Sequence, residues 1–283
     1  VPSFSFFATS EVVIKIGAQP IYCDINLNDL TINTENLKNL ISKKTKAIIA
    51  VHLFGNASNI KEIKKAIKGV EISLIEDTAQ AFGSKYDNKY LGTFGEFGCF
   101  SFYPTKNLGC FGDGGAITFN NKKYQNEIRS LRNHGTKKNY FHNLVGLNSR
   151  LDSIQALILR LKLIEVKKIL NIRSKNNNLF IKSIDNDIVN IHSQKNQPMN
   201  VFPMTVKNNS KLKKIKSNLE KNNIQFGTYY PFGLHEFPIS KLIQKKNMFT
   251  NTDYVKNNIV TVPCHSKLNL NDIKKISNII NET

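Results

Sequence analysis

The chain has 283 residues, 40% of them hydrophobic and 22% charged, which is enough to bury a large core in one large or two domains. No apolar run reaches the roughly 18 residues of a membrane span and no signal peptide is visible, so a soluble, cytoplasmic protein with no membrane partner is expected. Forty Lys+Arg against 21 Asp+Glu give a net charge of +19; the lysines are interspersed rather than gathered in like-charge blocks, which favours solvated faces over a nucleic-acid surface.

In chain order, Val1-Pro2-Ser3-Phe4 reads as the end of a strand and Ile21 to Ile25 as a short strand. Glu35 to Ile41 reads as a helix with Thr34 as N-cap. Ala47 to His52 is an apolar strand, Asn59 to Ile67 a helix opened by Ser58 or Asn59, and Glu71 to Asp77 the next strand. Gly98 to Phe102 and Ala116 to Phe119 are further strands, and Tyr124 to Asn133 a helix. Ser153 to about Phe180 is a long helical stretch whose Ile154, Leu157, Ile158, Leu161 and Ile164 recur at helical spacing and are expected to pack into the core. Val201 to Val206 reads as a strand in which Pro203 requires an edge or a bulge, and Ser210 to Asn222 as a helix.

This alternation predicts an α/β fold, with a mostly parallel sheet covered on both faces and a smaller α/β unit after it. The boundary is expected near residue 185, giving a large domain over 1–185 and a small one over 186–283. Cys23, Cys99, Cys110 and Cys264 form no C-x-x-C pair, which points to free thiols in a reducing compartment. The six histidines lack metal-ligand spacing, so no metal is expected.

Two stretches carry chemistry. Ser101-Phe102-Tyr103-Pro104-Thr105-Lys106 takes the chain off a short apolar strand through a proline turn that presents one lysine. Shielded from water among hydroxyls and glycines, such a lysine loses basicity and becomes an amine nucleophile able to form a Schiff base. Ile72-Ser73-Leu74-Ile75-Glu76-Asp77 is a buried-strand run ending in a carboxylate, and ligands of open parallel sheets sit at the carboxyl ends of strands. A lysine and an acid on neighbouring strand ends suit pyridoxal 5'-phosphate, the lysine holding its aldehyde and the acid keeping its pyridine nitrogen protonated. The competing readings are a surface lysine in a hairpin and a carboxylate capping a helix.

Glu76-Asp77-Thr78-Ala79-Gln80, Ser101 to Lys106 and Gly112-Asp113-Gly114-Gly115 resemble the sugar aminotransferases of the DegT/DnrJ/EryC1/StrS family. Val1 to Phe6, Val51-His52-Leu53-Phe54-Gly55, Arg132-Asn133-His134-Gly135, Asn148-Ser149-Arg150-Leu151-Asp152 and Tyr230-Pro231 match in the same order, across nearly the whole chain. The resemblance implies the fold type I of pyridoxal-phosphate-dependent transferases, with a mostly parallel mixed sheet in the large domain. It makes Lys106 the cofactor-anchoring lysine and general base; some relatives are dehydratases with His there, so lysine favours transamination.

The resemblance further implies that Asp77 meets the pyridine nitrogen, Gln80 the phenolic oxygen and Ser101 the phosphate, while Phe6 stacks on the ring. Asn148 would reach the phosphate of a neighbouring subunit, making the unit a homodimer with a shared active site. Arg150 would pair with a carboxylate or brace the long helix, and His134, Tyr230 and His235 would line the sugar-nucleotide side. The implied reaction moves an amino group from L-glutamate, leaving 2-oxoglutarate, onto a nucleotide-linked keto-sugar for amino-sugar and polysaccharide biosynthesis. The positive field would draw in such an anionic substrate. The family pattern also has a phosphate-gripping helix before the present Val1, so the chain reads as N-terminally truncated. Two rival readings follow: a catalytically inactive or truncated relative with a binding or regulatory role, and, from the charge, a nucleic-acid binder whose duplex affinity would fall steeply with salt.

Overall fold

The computed structural model describes residues 1–138, 140–241, 244 and 248–283. The first half contains α1 (Ala8–Lys15), α2 (Thr34–Leu40), β1 (Ala47–Val51), α3 (Ile60–Ala66), β2 (Ser73–Asp77), β3 (Lys85–Tyr86), β4 (Lys89–Tyr90), β5 (Phe97–Ser101) and β6 (Gly115–Phe119). Then come α4 (Gln125–Leu131), β7 (Thr136–Lys138), β8 (Phe141–His142) and α5 (Ser153–Ser183). The last part is β9 (Val189–Ile191), β10 (Val201–Val206), α6 (Asn209–Lys221), α7 (Thr250–Asn258), β11 (Ile259–Pro263) and α8 (Leu270–Asn281).

Four strands form the first sheet in the order β1-β2-β5-β6. The first three are parallel and β6 runs antiparallel to β5, which makes it the mostly parallel mixed sheet expected. Its register brings Val51, Asp77 and Cys99 level, so the carboxyl ends of β1 and β2 and the last residues of β5 share one edge. The second sheet, β11-β10-β9, is antiparallel, and its first strand begins six residues after α5 ends.

The largest core cluster joins residues from both ends of the chain, among them Phe4, Ile25 and Val51 with Phe180, Phe202, Met204, Ile215 and Ile276. Arg173, buried in the middle of α5, donates from one guanidinium nitrogen to the carbonyls of Met199, Asn200 and Cys264 at 3.2, 3.3 and 3.2 Å, tying α5 to the second sheet. All four cysteines are free thiols. Among the described residues, no helix is long and apolar enough to cross a membrane.

Val1 to Phe4 and Ile21 to Ile25, expected as a strand end and a short strand, form only isolated bridges, Pro2 with Cys23 and Ile25 with Ile32. Three further expectations change. The cap of α2 is Asn33, whose side chain accepts from the N–H groups of Glu35 and Asn36 at 3.0 and 3.1 Å, and Thr34 is already the first helical residue. Pro203 lies in the central strand β10, opposite Thr261. It is tolerated because the N–H and carbonyl of Thr261 turn the other way, to Gly227, and β9 pairs only as far as Met204. The carbonyl of His192, which a residue other than proline would have met, accepts instead from Asn56 Nδ2 at 2.6 Å.

The third change concerns α5. Ile154, Leu157, Leu161 and Ile164 are not core: they are 71, 56, 59 and 76% exposed, while Leu159 on the other side is buried. Periodicity marks an apolar face without saying what covers it, and in the single chain this face stays open.

Candidate active site

Lys106 stands in the loop that follows β5. Pro104 opens the turn, and the Lys106 N–H closes it on the Tyr103 carbonyl at 2.9 Å. Gly109 completes the loop so close to this turn that a Cβ would come within 2.5 Å of the Pro104 carbonyl oxygen, which is why glycine is needed there. The buried neighbour Asn107 anchors the loop from behind, donating from Nδ2 to the carbonyls of Phe82 and Pro198 at 3.2 and 2.7 Å. Lys106 itself is half-buried. Burial holds its ammonium below the ordinary lysine range, and the charge of Asp77 pulls back the other way.

Asp77 ends β2. Its carboxylate is held on both oxygens: Thr9 Oγ1 donates to Oδ2 at 2.9 Å and the Ala79 N–H to Oδ1 at 3.1 Å. Ser5 Oγ lies 3.0 Å from Thr9 Oγ1 and extends the chain of hydroxyls. Each carboxylate oxygen can accept a further bond, as a protonated ring nitrogen requires.

Gln80 is fixed at both ends of its amide. Oε1 accepts from the Phe54 N–H at 2.8 Å, and Nε2 donates to the Tyr230 hydroxyl at 2.9 Å. Burial raises the Tyr230 phenol well above its ordinary range, so it stays protonated. Phe6, in the loop just before α1, lies beside the Tyr230 ring, centroids 6.2 Å apart, yet is 60% exposed; an aromatic ring left open in this way is suited to stacking on a flat ligand. Ser101 ends β5, and its Oγ accepts from the Tyr103 N–H at 3.3 Å. That bond uses the oxygen and leaves the hydroxyl proton free to donate. The structure thus brings Lys106, Asp77, Gln80, Tyr230, Phe6 and Ser101 to one edge of the first sheet.

The other expected residues lie elsewhere. Asn148 forms an isolated bridge with Asn133, and Arg150 donates to the Asn133 side chain at 2.5 Å. His134, in the left-handed region at φ 59°, donates its N–H to Leu147. All three side chains are exposed, on the segment leading into α5. His235 is buried and stacks on Phe249 with ring centroids 4.0 Å apart, and burial lowers its basicity. His235, Glu236 and Asp253 have their ligand atoms within 4.8 Å of one another. The Lys256 ammonium already bridges the two carboxylates at 2.6 and 2.8 Å, filling the place of a cation.

Sequence reasoning missed two supports of the site. Thr9 was hidden in a helix 68 residues from Asp77; its one signal was the i,i+4 spacing with Ser5. Glu76 stands in the sequence within a strand run and within the Glu76-to-Gln80 motif, with no role of its own assigned to it. It is fully buried, and it accepts from the N–H groups of Gly92, Phe94 and Gly95 at 2.8, 2.7 and 2.7 Å and pairs with His52 Nε2 at 3.1 Å.

The residues fit pyridoxal phosphate: an amine of lowered basicity, a carboxylate with lone pairs to spare, an open aromatic face and a hydroxyl with a free proton meet in one place. A fold of this kind with an aspartate at one strand end and a lysine in the loop after the neighbouring strand defines a pyridoxal-phosphate-dependent enzyme. The model of the DegT/DnrJ/EryC1/StrS aminotransferase family matches residues 1–281, and the chain belongs to that family of sugar aminotransferases. It is 32% identical over 270 residues to a pleiotropic regulatory protein of Geobacillus stearothermophilus, covering 94% of this chain and 73% of the relative. It is 30% identical over 280 residues to the UDP-2-acetamido-2-deoxy-3-oxo-D-glucuronate aminotransferase of Pseudomonas aeruginosa, covering 97% and 76%. A crystal structure of a DegT DnrJ EryC1 StrS aminotransferase from Brucella abortus superposes with a TM-score of 0.91 at 31% identity, covering 99% of this chain and 78% of that one.

Proposed function

We propose that the chain transfers an amino group from L-glutamate to the keto carbon of a nucleotide-linked sugar, in the cytoplasm, for amino-sugar and polysaccharide biosynthesis. The observation that carries this reading is Lys106: half-buried, of lowered basicity, and within reach of the Asp77 charge. The name of the Pseudomonas aeruginosa relative supports a nucleotide-linked keto-sugar as acceptor.

Bound pyridoxal phosphate supplies an aldehyde for the amines and a ring that accepts electrons when a carbon–hydrogen bond breaks. The protein's part is to hold and orient. Lys106 Nζ would anchor the aldehyde and, once released as the free amine, would move a proton between the substrate carbon that bears the amino group and the C4′ carbon of the cofactor, in one direction with the donor and in the reverse direction with the acceptor. Asp77, steadied by Thr9 and the Ala79 N–H, balances a protonated ring nitrogen. Gln80, steadied by Phe54 and Tyr230, offers its amide to the ring oxygen. Phe6 covers one ring face, and Ser101 donates its free proton to phosphate. Tyr230, with the exposed His134 and Arg150, is assigned to the sugar-nucleotide side, whereas His235 is buried against Phe249 and is not.

We place the working unit at a homodimer. The open apolar face of α5 supports this, as does the exposure of Asn148, six residues before Ile154 at the start of that face, which leaves it free to reach a partner's phosphate. The test is to add pyridoxal phosphate to the chain, reduce with borohydride and map the modified lysine. Label on Lys106, lost in Lys106→Ala, followed by release of 2-oxoglutarate from glutamate, supports the reading. No label on Lys106 overturns it and favours a regulatory relative, a role suggested by the name of the Geobacillus protein.

A further inference from the structure

Glu76 precedes Asp77 on β2, and strand alternation sends its side chain to the opposite face of the sheet, away from the cofactor pocket. There it is fully buried, yet it carries an ionisable carboxyl. Burial pushes that carboxyl up, and the hydrogen bonds from His52 and the Gly95 and Gly92 amides outweigh it, leaving Glu76 below the usual carboxylate range. A buried charge of this kind is costly unless fully satisfied. Both oxygens are satisfied, by three backbone N–H groups and one imidazole.

The imidazole is satisfied in turn. The Ser58 N–H donates to His52 Nδ1 at 3.1 Å, so the ring hydrogen lies on Nε2 and points at Glu76. The His52 N–H donates to the Asp77 carbonyl at 3.0 Å. Between His52 and Ser58 the chain makes a tight 3-10 turn, Leu53–Gly55, in which Phe54 adopts φ 59°. That left-handed backbone is unfavourable for a bulky residue and persists only when its surroundings impose it. The N–H that this conformation aims outward is the one received by Gln80 Oε1 at 2.8 Å. With Oε1 so fixed, the amide has no choice but to present Nε2 to Tyr230.

We propose that the buried Glu76–His52 pair is a positioning unit for the cofactor pocket: it holds the Leu53–Gly55 turn in the conformation whose Phe54 N–H sets the orientation of Gln80, and through Gln80 that of the Tyr230 hydroxyl. The pair touches neither cofactor nor substrate and acts through one backbone N–H. The inference rests on the reading that Gln80 faces the cofactor.

The experiment is a double-mutant cycle on the full chain, with Glu76→Gln, Gln80→Ala and the double variant. The readouts are pyridoxal phosphate affinity and the circular dichroism of the bound chromophore, with thermal unfolding alongside. Each single change is expected to weaken binding roughly tenfold, the loss of about one well-made hydrogen bond, and to alter the chromophore signal. The double variant should bind within about twofold of Gln80→Ala, because the second change removes a support whose load is already gone. Multiplied losses in the double variant would overturn the relay, as would a Glu76→Gln protein that is less heat-stable but binds normally. Wild-type binding by Gln80→Ala would instead remove the placement of Gln80 at the cofactor.

Should Glu76→Gln fail to fold, His52 carries the same test. His52→Gln keeps a donor toward Glu76 and is expected to retain affinity and chromophore signal, whereas His52→Leu is expected to lose both. Equal behaviour of the two variants counts against the proposal.

Discussion

The Thr9 hydroxyl donates to Asp77 Oδ2 at 2.9 Å, joining the first helix to the end of the second strand across 68 positions of sequence. With the Ala79 N–H on the other oxygen, it decides which way the carboxylate plane faces. Thr9→Val keeps the side-chain shape and deletes this one bond. Since a hydrogen bond to a charged group contributes about 1.5–3 kcal/mol, pyridoxal phosphate affinity should fall by roughly tenfold or more, with the fold intact. Titration of the cofactor by visible absorption measures this, and an unchanged midpoint would show that Asp77 needs no such brace.

Lys106 and Asp77 oppose each other in a way that pH can read. Burial lowers the basicity of Lys106 and the charge of Asp77 restores part of it. In the cofactor-free chain, Lys106 should therefore react with an amine-selective reagent at lower pH than ordinary lysines. Asp77→Asn deletes the restoring charge, so the midpoint of Lys106 labelling should move to still lower pH. Peptide mapping across a pH series would reveal it; a midpoint that moves upward would contradict the electrostatic account.

Much of this site is legible in the sequence because the residues that define it stand in short, ordered runs at strand ends, as Asp77 does after an apolar run and Lys106 after a proline turn. What lies between the runs is harder to see. Thr9 and Glu76 act through single hydrogen bonds to distant positions, and no local pattern marks such a partner. The stripe Ile154, Leu157, Leu161 and Ile164 shows the converse failure: the period was right and the helix is there, but burial depends on what lies opposite. His235 follows the Tyr-Pro stretch, where an open ring was expected. It stacks instead on Phe249, the residue that opens α7, a partner 14 positions further along the chain.

Acid should weaken the fold through His192. Its ring is buried, with Nδ1 2.5 Å from the Leu27 carbonyl oxygen and Nε2 2.8 Å from Thr205 Oγ1, and burial pushes it down to about 4 from 6.5. Because the folded value is depressed, the unfolded chain binds the proton first as pH falls. Stability is therefore fully present above about 6.5 and drains away between 6.5 and 4, by up to ~3 kcal/mol from this residue. Burial lowers His235 and His265 as well, so they add in the same direction. Urea midpoints between pH 7 and 4 should fall steadily, and His192→Gln should flatten the slope. A slope unaffected by that change would place the acid sensitivity elsewhere.

The open face of α5 makes the last prediction, and it separates packing from association. In a lone chain, Leu161 and Ile164 are 59 and 76% exposed, so replacing them with charged residues costs the fold almost nothing. In a dimer closed over that face, one unpaired carboxylate in an apolar contact costs about 3–5 kcal/mol, at least a hundredfold in association. Leu161→Glu and Ile164→Glu should thus convert a wild-type dimer to a monomer in light scattering, with no loss of thermal stability measured at low protein concentration. Because Asn148 is assigned to the partner's phosphate, the same variants should also bind pyridoxal phosphate more weakly, although neither residue lies at the Lys106 loop. A wild-type chain that is monomeric at micromolar concentration would refute the shared site. A dimer indifferent to both substitutions would put the interface on another face.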